Sequence, residues 1–216
     1  MSANSPATTS LAEQAYEILE RQLVNLELAP GAIVSEGQLI SLTGLGRTPV
    51  REAMQRLAQQ DLIQVMPRKG LRVTPVSQAS MSHILETRKP LERVIVNRAA
   101  LHARDEQRSA LAALARDLAF AHDSFEAYLG LENDLERLLD QCAGNPYASA
   151  AAAPLRSHCR RFWRLHGTRL HLSDAISAQS KLARLVARRD FNGAQKAVDG
   201  VIAVTERLLA GTERVG

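Results

Sequence analysis

The sequence predicts a mainly α protein: three short helices and a β-hairpin in the first third, then an all-α helical bundle. Three observations predict it. Apolar residues recur at helical spacing from Leu11 onward, with Pro- and Gly-containing stops between the runs. Only Leu62, Ile63, Val65 and then Leu71, Val73, Val76 read as strands, and Pro67-Arg68-Lys69-Gly70 joins them as a hairpin turn. From Met81 onward the chain is rich in Ala, Leu and Arg and carries no strand pattern.

Residues 1–10 are small and polar and are expected to be disordered. The first helix carries Leu11, Ala15, Ile18, Leu19, Leu23 and Leu26, and Ala29-Pro30-Gly31 stops it. Ser35 is a suitable N-cap for a short second helix with Leu39, Ile40 and Leu42 on its apolar side. Thr43-Gly44-Leu45-Gly46 turns the chain into a third helix, where Pro49 is tolerated in the first turn. Its apolar stripe is Val50, Ala53, Met54 and Leu57. Residues 11–76 therefore read as a winged helix-turn-helix. Helical segments follow at roughly 78–102, 106–121, 124–142, 147–169, 172–188 and 191–210, which makes 77–212 an all-helical second domain. No repeat period suggests a solenoid.

Composition narrows the function classes. At 45% hydrophobic and 23% charged residues the chain is an ordinary globular protein. No run reaches the roughly 18 apolar residues of a membrane span, and the first residues lack the basic and apolar regions of a signal peptide. Cys142 and Cys159 cannot form a disulfide framework, so a cytoplasmic location is expected. Aromatics at 4% argue against a stacking platform for single-stranded nucleic acid.

Charge is unevenly placed. Residues 1–46 carry Arg21 against Glu13, Glu17, Glu20, Glu27 and Glu36. Residues 47–72 carry Arg47, Arg51, Arg56, Arg68, Lys69 and Arg72 against Glu52 and Asp61. A basic patch beside an acidic scaffold fits a polyanion partner, or else a solvated helix face and a charged turn. On the third helix Arg47, Arg51 and Gln55 recur every four residues opposite the apolar stripe. An arginine fork matches guanine O6/N7 or a phosphate, and Gln55 suits adenine or a backbone oxygen. Thr48 and the helix N-terminal amides suit a phosphate. Arg68, Lys69 and Gly70 form the wing tip, and cations there suit the minor groove. Glu52 is expected to face Arg56 or the helix N-terminus. The candidate DNA-binding residues are thus Arg47, Thr48, Arg51, Gln55, Arg56, Arg68, Lys69 and Gly70.

The stretch Leu28-Ala29-Pro30-Gly31, Ser35-Glu36, Gly44-Leu45-Gly46-Arg47-Thr48-Pro49-Val50-Arg51-Glu52-Ala53 and Pro67-Arg68-Lys69-Gly70 resembles the winged helix of GntR-family transcription regulators. The resemblance implies that Arg47, Thr48 and Arg51 meet operator DNA and that Lys69-Gly70 makes the wing contact. Many relatives carry an arginine directly after the position of Glu36. This chain has Gly37, which removes one expected contact. Arg88-Lys89-Pro90-Leu91-Glu92, Ala143-Gly144-Asn145-Pro146 and Ala187-Arg188-Arg189-Asp190 resemble the FadR-type effector domain of that family, the FCD domain. The resemblance implies a homodimer on a short inverted repeat of double-stranded DNA, more simply a repressor than an activator. It also implies a small organic effector bound in the helical domain. A ligand-independent regulator whose helical domain only dimerises is the alternative.

Many such domains hold a divalent ion with one Asp and three His. Counting from the matching motifs, those positions fall on Glu132, Glu136, Gln179 and Val201, so no histidine is offered and no metal or other cofactor is expected. Glu132 and Glu136, one turn apart, form at best a weak hard-cation site and otherwise are solvated or salt-bridged. Arg88, Glu132, Glu136 and Gln179 are the candidate effector contacts, and the effector is expected to be uncharged, cationic at the Glu132/Glu136 end, or held by an arginine such as Arg88 placed away from the two glutamates. Arg156, Arg160 and Arg164 share one helix face, either a solvent stripe or a carboxylate-binding cluster. His83, His102 and His122 are isolated and receive no role. There is no HExxH, no Gly-rich phosphate loop and no GxSxG, so no enzyme is expected.

Overall fold

The computed structural model describes residues 10–121 and 124–212. The expected disorder of residues 1–9 and the isolated His122 lie outside the described residues. Ser10 does not belong with a disordered tail, because it caps the first helix by accepting a hydrogen bond from the Glu13 amide at 3.1 Å. The chain divides into two compact units between Val76 and Ser77.

In the first unit, α1 (Leu11–Val24) ends well before Ala29-Pro30-Gly31, with Leu26 in a left-handed conformation at φ 61°. Gly31, at φ 82°, turns the chain into β1 (Ile33–Val34). The sequence reading missed this strand, because two residues are too few to show alternation. α2 (Glu36–Thr43) opens on a reciprocal capping box. The Gln38 amide donates to Ser35 Oγ at 3.2 Å, and the Ser35 amide donates to Gln38 Oε1 at 2.8 Å. Gly44 ends it in the left-handed region at φ 66°. α3 (Arg47–Gln59) follows. β2 (Ile63–Met66) and β3 (Gly70–Val73) complete an antiparallel sheet in the order β1-β3-β2. The expected Val76 lies beyond the last strand.

Leu19 and Leu23 of α1, Leu39 of α2, Val50, Ala53 and Leu57 of α3, and Leu62, Ile63, Leu71 and Val73 from the sheet form one buried core. Met54 is only half-buried at its edge. Burying each large aliphatic side chain stabilises the unit by about 1.5–3 kcal/mol. With one face of α3 thus fixed inward, its opposite face has to meet solvent.

The second unit contains α4 (Gln78–His102), α5 (Asp105–Ala119), α6 (Phe125–Ala143), α7 (Pro146–His166), α8 (Arg169–Ala187) and α9 (Phe191–Thr212). α4 packs on α6, α7 and α9, and α5 packs on α8. The motif turns are caps. Gly144 ends α6 at φ 56°, Asn145 Oδ1 accepts from the Ala148 amide, and Pro146 begins α7. Arg98 Nε donates to the Ala143 carbonyl at 2.8 Å, and Arg108 Nε donates to the Ala187 carbonyl at 2.7 Å, so two interior arginines satisfy helix C-termini. Trp163 Nε1 donates to Thr205 Oγ1 at 3.0 Å and ties α7 to α9.

Gly70 shows a constraint that the sequence reading placed elsewhere. It sits at φ 93°, and a Cβ on it would stand 2.7 Å from the Val34 carbonyl oxygen. The close approach that requires glycine is made by β1 of the same chain. Gly70→Ala is therefore expected to destabilise the sheet by about 1–3 kcal/mol. Amide exchange in β3 reads it directly, and protection unchanged from the wild type would contradict the constraint.

Candidate nucleic-acid interface and a buried charge cluster

The exposed face of α3 begins at Gly46, an N-cap with no side chain to occupy the first amides. Arg47, Thr48, Arg51 and Gln55 are all exposed along it. Arg51, Met54 and Gln55 line an open groove of about 700 Å³ together with Glu36 of α2 and Val65 of β2. Val65 is 67% exposed, so β2 offers an apolar contact beside the arginine fork. Arg68, Lys69 and Gly70 are exposed in the turn between β2 and β3, where Arg68 takes a left-handed φ of 64°.

Arg56 is placed differently from the other candidates. Its Nη1 lies 2.6 Å from Glu13 Oε2, and its guanidinium stacks 3.6 Å over the Tyr16 ring. It is turned onto α1 and braces the unit rather than joining the face of Arg47, Arg51 and Gln55. Its partner is Glu13, not the expected Glu52. The reason is tertiary: α1 presents Glu13 and Tyr16 to the C-terminal half of α3.

Sequence reasoning also missed Glu36 as a member of the site. Its Oε1 accepts from Arg51 Nε at 2.9 Å and lies 3.5 Å from Arg47 Nε. No periodicity could show this, because it depends on the angle between α2 and α3.

In the second unit the structure brings Arg88, Glu132, Glu136 and Gln179 together, but with filled valences. Arg88 Nε donates to Glu92 Oε1 at 2.9 Å and its Nη2 to Glu136 Oε1 at 2.7 Å, and all three side chains are buried. The expectation that Arg88 stands away from the glutamates is corrected, since one guanidinium serves both. Arg156, 3% exposed, donates to both oxygens of Glu92 at 2.8 Å and to Asp140 Oδ2 at 2.8 Å. Arg160 donates to Glu136 Oε2 at 2.6 Å. The solvent-stripe reading of Arg156 and Arg160 is therefore overturned by burial. Arg164, the third of the stripe, is as little exposed as Arg160 and pairs with the exposed Glu126. Glu92 was legible as the i+4 partner of Arg88. Asp140 carried no signal.

Glu132 is the surplus carboxylate. Its Oε1 accepts from Gln179 Nε2 at 3.2 Å. Burial, and then repulsion from Glu136, raise its pKa to about 7. Burial opposes ionisation of Glu92 too, but Arg156 and Arg88 outweigh it and hold its pKa down to about 2.

The metal positions do not fit a divalent ion. Val201 offers no donor, and Glu136 is already engaged by two guanidinium groups. Among the described residues no group of three or more His, Cys, Asp or Glu could hold a metal. A cavity of about 20 Å³ remains, lined by Arg88, Glu136, Gln179, Val201 and apolar neighbours. That is room for one water and not for an organic molecule.

Comparison with known proteins agrees with both halves. Residues 11–73 match the family described as bacterial regulatory proteins, gntR family, and residues 83–203 match the FCD domain. The chain is 30% identical over 138 residues to the HTH-type transcriptional repressor RspR of Escherichia coli K12, covering 63% of this chain and 60% of that one. It is 28% identical over 159 residues to the HTH-type transcriptional repressor NanR of Escherichia coli O1:K1, covering 65% and 60%. The match thus spans about 60% of the length of these relatives. Among solved structures, E. coli McbR/YncC superposes with a TM-score of 0.83 at 20% identity over 95% of this chain and 100% of that one. A putative transcriptional regulator GntR from Rhodococcus sp. RHA1 gives 0.73 at 15% identity, over 93% and 97%. At these identities the structures establish the fold.

The buried cluster makes stability pH-dependent with a definite sign. Folding raises the Glu132 pKa, so its contribution is complete below about pH 4.5 and lost as pH rises through about 7. Glu132→Gln keeps the amide contact and removes the titration. The variant is expected to gain on the order of 1–3 kcal/mol relative to the wild type between pH 5 and pH 8. A constant difference in stability between the two proteins across that range would show that folding does not raise the Glu132 pKa.

Proposed function

Because the chain belongs to the gntR family of bacterial regulatory proteins and carries an FCD domain, we propose that it is a DNA-binding transcription regulator that acts as a homodimer on a short inverted repeat. The observation that carries this reading is the exposed row Arg47, Arg51 and Gln55 on α3, beside a basic two-stranded turn. A helix of this kind enters the major groove, and the wing lies against the adjacent backbone. The relatives RspR and NanR are both named as repressors, which supports repression here. No helix among the described residues is long and apolar enough to cross a membrane. The reading assigns no enzymatic step and no metal.

Surface chemistry supports the homodimer. α4 exposes Val94 at 43% and Leu101 at 58%, and α7 exposes Tyr147 at 87% near its start. The Arg98–Ala143 bond holds that part of α4 close to the turn from which α7 begins. Exposed apolar side chains on these two helices suit a self-complementary interface.

Response to an effector is the finer part of the proposal. A small molecule would bias one arrangement of the helical domain over another and so change operator affinity. The second reading, a helical domain that only dimerises, is favoured by the small size of the cavity and by the engaged state of Arg88 and Arg156. A thermal-shift panel of organic acids, amines and neutral metabolites separates the two. Coupled shifts in melting temperature and operator affinity support the sensor, and a flat panel supports the constitutive regulator.

Arg51→Ala should weaken binding to the specific site by about 1–3 kcal/mol and relax its sequence preference. Lys69→Ala should weaken binding to all sequences alike and flatten the salt dependence. Operator titrations in which Arg51→Ala matches the wild type would remove α3 as the reader. For the dimer, Leu101→Asp with Tyr147→Asp should shift light-scattering mass from two chains to one. A mass that stays at two chains would place the interface elsewhere.

A further inference from the structure

An acid in the middle of a DNA-reading face needs an explanation. Glu36 is the first residue of α2, yet its carboxylate sits between the two arginines at the start of α3, 2.9 Å from Arg51 Nε and 3.5 Å from Arg47 Nε. The side chain of Glu36 is 30% exposed, against 58% for Arg51 and 73% for Arg47. Its backbone is fixed by the Ser35–Gln38 capping box, and Gly37 beside it adds no bulk. A negative charge here repels phosphate and lowers affinity for any DNA. The compensating effect is geometric. A guanidinium is planar, so a hydrogen bond to Nε fixes the plane of the whole fork. The two Nη groups of Arg51 then stay available as a bidentate pair.

We propose that Glu36 is a positioning residue that makes Arg51 read bases rather than phosphates, exchanging general DNA affinity for sequence discrimination. The proposal rests on the DNA-binding reading above. A bidentate contact to guanine O6 and N7 tolerates little rotation of the fork, whereas a phosphate accepts an arginine from many directions. Holding Nε removes the freedom that would let Arg51 swing to the nearer backbone. Arg47, farther from the carboxylate and more exposed, keeps that freedom and remains suited to a phosphate. Division of labour between two arginines four residues apart thus follows from a single acid on the neighbouring helix.

The test uses the full chain. Wild type, Glu36→Gln and Arg51→Ala are each put through selection from a random duplex library. Affinities for the wild-type-selected duplex and a scrambled one are then measured across a salt series. Glu36→Gln is expected to lose preference at the same base pairs that Arg51→Ala loses. It should also bind the scrambled duplex more tightly and with a steeper salt dependence, reducing discrimination roughly tenfold. Glu36→Asp, which keeps the charge but is shorter, should fall between. An unchanged selected motif for Glu36→Gln overturns the proposal, and so does an equal loss on both duplexes, which marks Glu36 as a support for α2 only. A wild-type chain that selects no motif overturns the DNA-binding reading itself, and the clamp with it.

Discussion

Arg156 is the constraint on which the helical unit depends. Its guanidinium lies where α4, α6 and α7 meet and donates to Glu92 from the first and Asp140 from the second, with Glu136 3.5 Å away. Two of the carboxylates near it meet other donors as well: Glu92 is shared with Arg88, and Glu136 with Arg88 and Arg160. Burying charge is costly unless each group is paired and hydrogen-bonded, and here each buried member is. Taking out one member leaves its partners charged and dry, at a cost of about 3–5 kcal/mol. The cluster therefore stands or falls as a unit. Three arginines balance Glu92, Glu136 and Asp140, which leaves Glu132 as the carboxylate that does best with its proton on.

The same pairs show how this FCD domain joins its helices through guanidinium groups. A divalent ion ties helices together by drawing carboxylates and imidazoles to one point. In this chain a set of guanidinium groups does the drawing, and Glu136 is bound by Arg88 of α4 and Arg160 of α7 at once. Arginine delivers this with fixed directions and no exchange with solvent. Val201 and the aliphatic neighbours then fill the remaining space, leaving the small cavity beside Gln179. Polar cross-linking of α4, α6 and α7 is thus retained with different chemistry.

Most of the fold was legible because it depends on local signals. The cap at Ser35, the Gly44 stop and the Gly144-Asn145-Pro146 junction each act within a few residues, and the helices begin and end near them. The outward face of α3 was legible because Val50, Ala53 and Leu57 fix its opposite. What remained hidden was pairing between elements. Arg56 looked like its neighbours Arg51 and Arg47 until Glu13 and Tyr16 were brought beside it. Arg156 and Arg160 looked like a solvated stripe because a buried arginine has the same helical spacing as an exposed one. Their carboxylate partners lie 64 and 24 residues away in sequence. Gly70 was read as a device for approaching DNA, whereas its first duty is to let Val34 pass.

The protein uses the arginine–glutamate pair in two environments, and the environment decides what each pair can do. The Arg51–Glu36 pair is at the surface, where such pairs contribute about 0–1 kcal/mol. A contact that weak still biases the plane of the fork, and a guanine edge met by the Nη groups does not require Nε to leave Glu36. The Arg156–Glu92 pair is buried, and separating it is several times more expensive. An effector carboxylate that enters the helical unit has to replace Glu136 or Glu92 on an arginine and leave the displaced acid buried. Glu132 stands outside that exchange, because it accepts from the Gln179 amide and burial favours its protonated form. The charge arrangement therefore makes the buried cluster a support of the helical unit that holds only while each guanidinium keeps its carboxylate.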